Sequence, residues 1–193
     1  DGCWQQSRFF CAMDFPVREL SSKVMGIIGA GELGSGMAKI AEAFGLRVIY
    51  ARLPGRVHSS AVERMDFDEF LKTADIVSIH CPLTSDTIDL ISEEQFALMQ
   101  KTTILINSAR GGIVNEAALK QALCNGDIAG AATDVLTEEP PVDGNLLLDR
   151  SIPNLIVTPH SAWLAQEARQ RLVTQLADNI SGFLNGKPRN QVI

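Results

Sequence analysis

The chain has 193 residues, 46% of them hydrophobic, and its 23 Asp and Glu outnumber its 17 Lys and Arg, for a formal net charge of -6. That length suits one good-sized domain, or one and a small appendage, and the acidic balance rules against a nucleic-acid groove. No apolar run approaches the roughly 20 residues of a membrane helix, and Arg8-Phe9-Phe10-Cys11-Ala12-Met13 is too short for a secretory signal and soon meets Asp14. In chain order, Lys23 to Ile28 is a short apolar run of the buried-strand type that ends in glycine. Glu32 to Phe44 predicts a helix with Leu33, Met37, Ile40, Ala41 and Phe44 on one face, stopped by Gly45. Arg47 to Ala51 is a second strand. Asp68 to Lys72 predicts a helical turn, Ile76 to His80 a strand ended by Pro82, and Ser92 with Gln95 a capping box opening a helix through Met99. Thr102 to Ile106 is a strand, Asn115 caps a helix through about Cys124, and Gly130 to Asp134 and Leu155 to Thr158 are further strands. Trp163 to Leu184 predicts a long amphipathic helix ended near Gly186 and Pro188, and Thr137 to Asp149 is the longest irregular piece.

This alternation predicts an α/β fold of the Rossmann type, a doubly wound parallel sheet with helices on both faces. The four cysteines, Cys3, Cys11, Cys81 and Cys124, lack C-x-x-C spacing. They read as reduced thiols of a cytoplasmic protein rather than as a zinc site or disulfide framework, and no metal is expected. The sequence opens at Asp1 without an initiator Met, inside a polar, aromatic-dotted segment (Trp4 to Phe15), so its natural beginning is expected further upstream, with a processed N-terminus the alternative.

The turn Gly29-Ala30-Gly31-Glu32-Leu33-Gly34 falls between the first strand and helix, the setting in which such a glycine pattern binds a dinucleotide. Gly29 permits the tight turn, Gly31 the approach of a pyrophosphate and Gly34 close helix packing, while the helix N-terminus offers N–H groups to the phosphates. An acid closing the second strand would bind the ribose 2′-hydroxyl of NAD. None is present: Arg52 stands there, 18 residues past Gly34 (52 − 34), and Arg56 follows. Guanidinium groups suit a 2′-phosphate, which favours NADP over NAD.

Three further residues carry chemistry. Arg110, in Ile106-Asn107-Ser108-Ala109-Arg110-Gly111-Gly112, follows a strand directly, and its guanidinium can hold a substrate carboxylate in two parallel bonds. His160 follows Thr158-Pro159 at another strand end and is the natural proton donor for carbonyl reduction. A carboxylate bonded to its ring would fix the ring's orientation, and Glu139 is the candidate, with Glu138 its rival. His58 and His80 read as structural histidines.

With these residues in view, the chain resembles the cofactor-binding domain of the D-isomer-specific 2-hydroxyacid dehydrogenases, and within them the glycerate and hydroxypyruvate branch. The resemblance runs from the Trp4 segment to Pro188. It rests on the glycine turn, His80-Cys81-Pro82-Leu83-Thr84, the Asn107 to Gly112 stretch, Ala132 to Pro141, and Thr158-Pro159-His160-Ser161-Ala162-Trp163. The extension through Glu167-Ala168-Arg169-Gln170-Arg171 points to the branch. The resemblance implies a hydride transfer between NAD(P)H and a small 2-keto or 2-hydroxy acid. Arg110 would bind the substrate carboxylate, His160 act as acid/base, and Glu139 serve as its partner. The backbone at Glu32 and Leu33 would lie on the pyrophosphate, the segments His80 to Pro82 and Asn107 to Ala109 along the ribose and nicotinamide, and Asp134 on the carboxamide. It implies a homodimer and three parts: a remnant of an inter-domain segment at 1–20, the dinucleotide-binding domain at 21–162, and a helix and tail at 163–193 returning toward a substrate lobe. Without that lobe the chain is expected to bind cofactor but to turn over poorly or not at all, and the apolar residues of its last helix to lose their packing partner and be exposed or buried in a dimer. Two other readings are a dinucleotide-sensing scaffold or corepressor and a family member acting on a bulkier 2-keto acid.

Overall fold

The computed structural model describes residues 4–11, 17–55 and 62–191. Among them lies one seven-stranded sheet: β1 (Val24–Ile28), β2 (Arg47–Arg52), β3 (Met65–Asp66), β4 (Ile76–Ile79), β5 (Ile104–Asn107), β6 (Gly130–Thr133) and β7 (Leu155–Val157). The strand order is β3-β2-β1-β4-β5-β6-β7 and every pair is parallel. The chain winds outward one way through β2 and β3, then returns and winds the other way from β4. The carboxyl ends of β1 and β4 therefore flank the crevice where open α/β sheets bind ligands. β3, only two residues long, is too short to leave a periodic pattern and was not expected from the sequence.

Among the described residues five α-helices accompany the sheet: α1 (Glu32–Ala43), α2 (Phe67–Thr73), α3 (Glu93–Leu98), α4 (Glu116–Asn125) and α5 (Gln166–Leu184). The predicted caps are in place. The Ser92 N–H donates to Gln95 Oε1 (3.1 Å) ahead of α3, and Asn115 Oδ1 accepts from the Ala118 N–H (3.0 Å) at the start of α4. Helices lie on both faces. On one, Phe70 and Leu71 of α2, Phe96 of α3 and Leu119 and Leu123 of α4 pack with Ile28, Val77, Ile79 and Leu105 of the strands. On the other, Ala38 and Ala41 of α1 pack with Met25 and Ile27 of β1 and with Leu46. α1 covers only part of that face, so Ile104 and Ile156, which alternate toward it, stay exposed.

Two expectations are corrected. The inward face of α1 is Gly34, Ala38 and Ala41, not the larger apolar set; Leu33, Ile40 and Phe44 are exposed and Met37 half-buried. The cause is proximity. A Cβ on Gly34 would lie 1.9 Å from the Gly29 carbonyl oxygen, so only small side chains fit beneath the helix. The larger residues form a stripe roughly a quarter-turn away. The long helix begins at Gln166 rather than Trp163, because the N–H groups of Ser161 and Ala162 are held by Asp134 (both 2.9 Å) and keep the chain in a turn. None of the residues of α5 is buried, and Leu172, Leu176, Ile180 and Phe183 are exposed. Among the described residues no helix is long and apolar enough to cross a membrane.

Candidate active site

The glycine turn joins β1 to α1 in a conformation that explains each glycine. Gly29 has φ +102°, and a Cβ there would lie 2.7 Å from the His80 carbonyl, so the turn sits hard against the end of β4. Gly34 closes on Gly29 from the helix side. Gly31 is different: a Cβ there would meet nothing within 4 Å. Protein packing does not require that glycine, but a side chain would fill the space above the first turn of α1, where the N–H groups of Glu32 and Leu33 have no intrahelical acceptor. These are the features that receive a pyrophosphate.

Above the turn opens a cleft of about 1000 Å³. It brings together Glu32, Leu33, His80, Pro82, Ala109, Arg110, Asp134 and His160 from five separate stretches of the chain. Met37, Ile40, Cys81 and Trp163 also line it. Met37 and Ile40 belong to the apolar stripe on α1, which faces this cleft rather than the core, while Cys81 and Trp163 fall within the motifs of their segments. Arg52, at the end of β2, is not part of that lining; its Nη2 donates to the Arg64 carbonyl (3.2 Å), and it forms no ion pair among the described residues. Arg56 and His58 lie outside the described residues.

His160 has φ +50°, and its Nδ1 lies 2.6 Å from Glu139 Oε2. Glu139 Oε1 accepts from the Leu136 N–H (2.7 Å), so that carboxylate is held on both oxygens. The bonds go to Glu139 and not to its neighbour Glu138. The turn that presents His160 is fastened by Asp134, which accepts from the Thr158 hydroxyl, from the N–H groups of Ser161 and Ala162, and from Ser161 Oγ (3.3 Å). Burial pushes the Asp134 carboxyl up, but these donors together outweigh it and hold it below its ordinary value. The sequence had offered Asp134 only as a cofactor contact; its carboxylate also builds the His160 turn.

Arg110 sits on a loop braced by Asn107, whose Nδ2 donates to the Arg110 carbonyl (3.0 Å) and whose Oδ1 accepts from the Ala109 N–H (3.1 Å). The Asn107 side chain is thus spent on shaping the loop. The Arg110 guanidinium is exposed, makes a 2.6 Å bond back to the Ala109 carbonyl, and has no carboxylate partner among the described residues. His80 bonds Ser78 Oγ through Nε2 (2.9 Å), and burial lowers its pKa, favouring the neutral ring. Among the described residues no three His, Cys, Asp or Glu side chains are grouped to hold a metal. An oriented imidazole and a guanidinium without a carboxylate partner among the described residues, on one cleft, are equipped to bind a carboxylate and move a proton beside it.

Residues 2–162 match the model of the D-isomer specific 2-hydroxyacid dehydrogenase family, NAD binding domain. The chain belongs to this family. It is 47% identical over 194 residues to a glycerate dehydrogenase of Methylorubrum extorquens, covering 99% of this chain and 59% of that protein. It is 36% identical over 194 residues to a hydroxypyruvate reductase of Blautia hydrogenotrophica, covering 100% of this chain and 60% of that one. Among solved structures it resembles an NAD complex of a D-isomer specific 2-hydroxyacid dehydrogenase from Lactobacillus delbrueckii ssp. bulgaricus (TM-score 0.82, 32% identity, 95% of this chain and 59% of that). An acyclic imino acid reductase, Bsp5, in complex with NADPH and D-Arg is similarly close (TM-score 0.84, 32% identity, 100% and 60%). The chain thus spans about 60% of the length of these relatives.

Proposed function

We propose that this chain is the cofactor-binding part of an NAD(P)H-dependent reductase that converts hydroxypyruvate or glyoxylate to D-glycerate or glycolate. The observation that carries this reading is that His160, bonded to Glu139, lines the same cleft as Arg110, which has no carboxylate partner among the described residues. When bound, the nicotinamide supplies a hydride to the keto carbon. Arg110 receives the substrate carboxylate and aligns the carbonyl. Protonated His160 gives its Nε2 proton to the developing alkoxide, while Glu139 holds the ring through Nδ1. The family's relatives with these names, glycerate dehydrogenase and hydroxypyruvate reductase, support the choice of acid.

The cofactor preference proposed is NADP over NAD, because Arg52 closes β2 with no acid beside it in sequence and with no ion pair among the described residues. Residues 21–162 would form the dinucleotide domain, with 163–193 returning to a substrate lobe built by further chain. The enzyme is read as a cytoplasmic homodimer, in keeping with thiols at Cys11 and Cys124 that form no disulfide and with the exposed apolar residues of α5.

Calorimetric titration with NADPH and NADH tests this. NADPH is expected to bind at least about tenfold more tightly, a difference worth roughly 1.4 kcal/mol, and Arg52→Asp to abolish that preference. Equal affinities would overturn the NADP assignment, and binding of neither would overturn the cofactor site itself.

A further inference from the structure

Glu116, the first residue of α4, points its carboxylate away from its own helix. Oε1 accepts from the Thr137 N–H at 2.7 Å, and Oε2 accepts from Asn145 Nδ2 at 2.8 Å. The two donors are 21 and 29 residues further along and bracket the stretch that carries Glu139. We propose that Glu116 is the positioning residue that sets Glu139 against His160. This rests on the reading of that pair given above.

Glu116 acts on Glu139 through one peptide plane. The Thr137 N–H belongs to the Leu136–Thr137 peptide. Its carbonyl rests on Gly111, so closely that a Cβ there would lie 1.8 Å from the Leu136 oxygen. The N–H of Leu136 itself donates to Glu139 Oε1 (2.7 Å). That peptide is thus gripped on one side by Gly111 and on the other by Glu116, both on the segment that carries Arg110, and the residue it grips holds Glu139. Asn145 secures the far end: its Oδ1 caps the short 3-10 turn 146–148 by accepting from the Leu147 N–H (2.8 Å). Both partners of Glu116 are donors, which matches a carboxylate, an acceptor on both oxygens. The N-terminus of α4 also favours a negative side chain. Arg110 and Glu139 are therefore kept in register by the same few residues.

The test is the ring N–H spectrum of the ¹⁵N-labelled chain. The proton on His160 Nδ1 that bonds Glu139 gives a downfield signal, assigned by its loss in Glu139→Ala. In Glu116→Ala its protection from exchange is expected to fall about tenfold or more, the factor that follows from losing a hydrogen bond to a carboxylate. In Glu116→Gln it is expected to persist, because the amide oxygen still accepts from the Thr137 N–H. If the alanine variant does not fold, Glu116→Met, of similar volume and without a strong acceptor, takes its place. A folded alanine or methionine variant with wild-type protection overturns the proposal, as does a folded glutamine variant that has lost the signal. Absence of the signal from the unaltered chain overturns instead the Glu139–His160 reading on which the proposal stands.

Discussion

Gly111→Ala puts the packing of the site to a direct test. A Cβ on Gly111 would lie 1.8 Å from the Leu136 carbonyl oxygen, 2.1 Å from its carbon and 2.6 Å from the Thr137 nitrogen. All three are backbone atoms, so no side-chain rotation relieves the clash. Restoring an ordinary carbon–oxygen contact of about 3.3 Å requires a relative movement of about 1.5 Å between the two loops. If the 136–139 segment takes that movement, the 2.6 Å bond between Glu139 and His160 opens to about 4 Å, beyond hydrogen-bond reach. Overpacking of this kind costs roughly 1–3 kcal/mol, which corresponds to a fall in melting temperature of about 2–12 °C at this chain length. A misplacement of about 1 Å at a catalytic group costs about a hundredfold in rate. Thermal unfolding of the chain reads the first effect, and kcat for hydroxypyruvate reduction by the whole protein reads the second. An alanine variant with an unchanged melting temperature and unchanged kcat would refute the reasoning, since it would mean that the Glu139 segment is not seated on Gly111.

Gly31→Ala is the counter-experiment. With nothing within 4 Å of the added Cβ and an ordinary negative φ of -76°, its melting temperature is expected to stay within about 1 °C of the parent. Its cofactor affinity is expected to fall at least about tenfold in calorimetry, because the methyl group stands where the pyrophosphate approaches. Stability should also depend on pH through His80. Burial lowers its pKa in the fold from the ordinary 6.5, so the stability it permits is complete above that value and declines as pH falls through the lower folded value. Urea midpoints between pH 7 and 5 are expected to fall less for His80→Asn than for the parent, and equal slopes would contradict this. Asp134 is also lowered, but from 3.8, so its stabilisation is complete above about pH 4 and is lost only as pH falls below that.

The legible parts of the fold and site are those whose physical cause is local. Strands ending in glycine or proline, the Asn115 cap and the loops carrying Arg110 and His160 are written within a few residues of themselves. The inward face of α1 was not legible, because a helix periodicity shows that a stripe exists and not which side faces protein. There the largest residues turned toward the cleft and Gly34, Ala38 and Ala41 toward the sheet. Glu138 stayed a rival to Glu139 on the residues alone for a related reason: in a loop, neighbouring side chains obey no period, and the approach of His160 from 21 residues away selects Glu139. Glu116 left no trace at all beyond that of an acid opening a helix. Its partners at Thr137 and Asn145 become neighbours only once β6 lies beside β5.

These long-range contacts also divide the labour within the site. The Glu139–His160 pair is held in place by residues of this chain: Asp134 fastens the His160 turn, Gly111 seats the Glu139 segment, and Glu116 ties down both ends of that loop. Arg110 is held differently. Its backbone is braced by Asn107, but its guanidinium has only the adjacent Ala109 carbonyl and no counter-charge among the described residues. A planar cation in that state has its remaining donors available for a carboxylate brought by the substrate. It follows that the imidazole–carboxylate signal should be present in this chain alone. Under the proposed function, the free donors of Arg110 are expected to become ordered when a keto acid binds in the cleft, and an unchanged Arg110 side-chain signal on adding hydroxypyruvate and cofactor to the whole protein would contradict this.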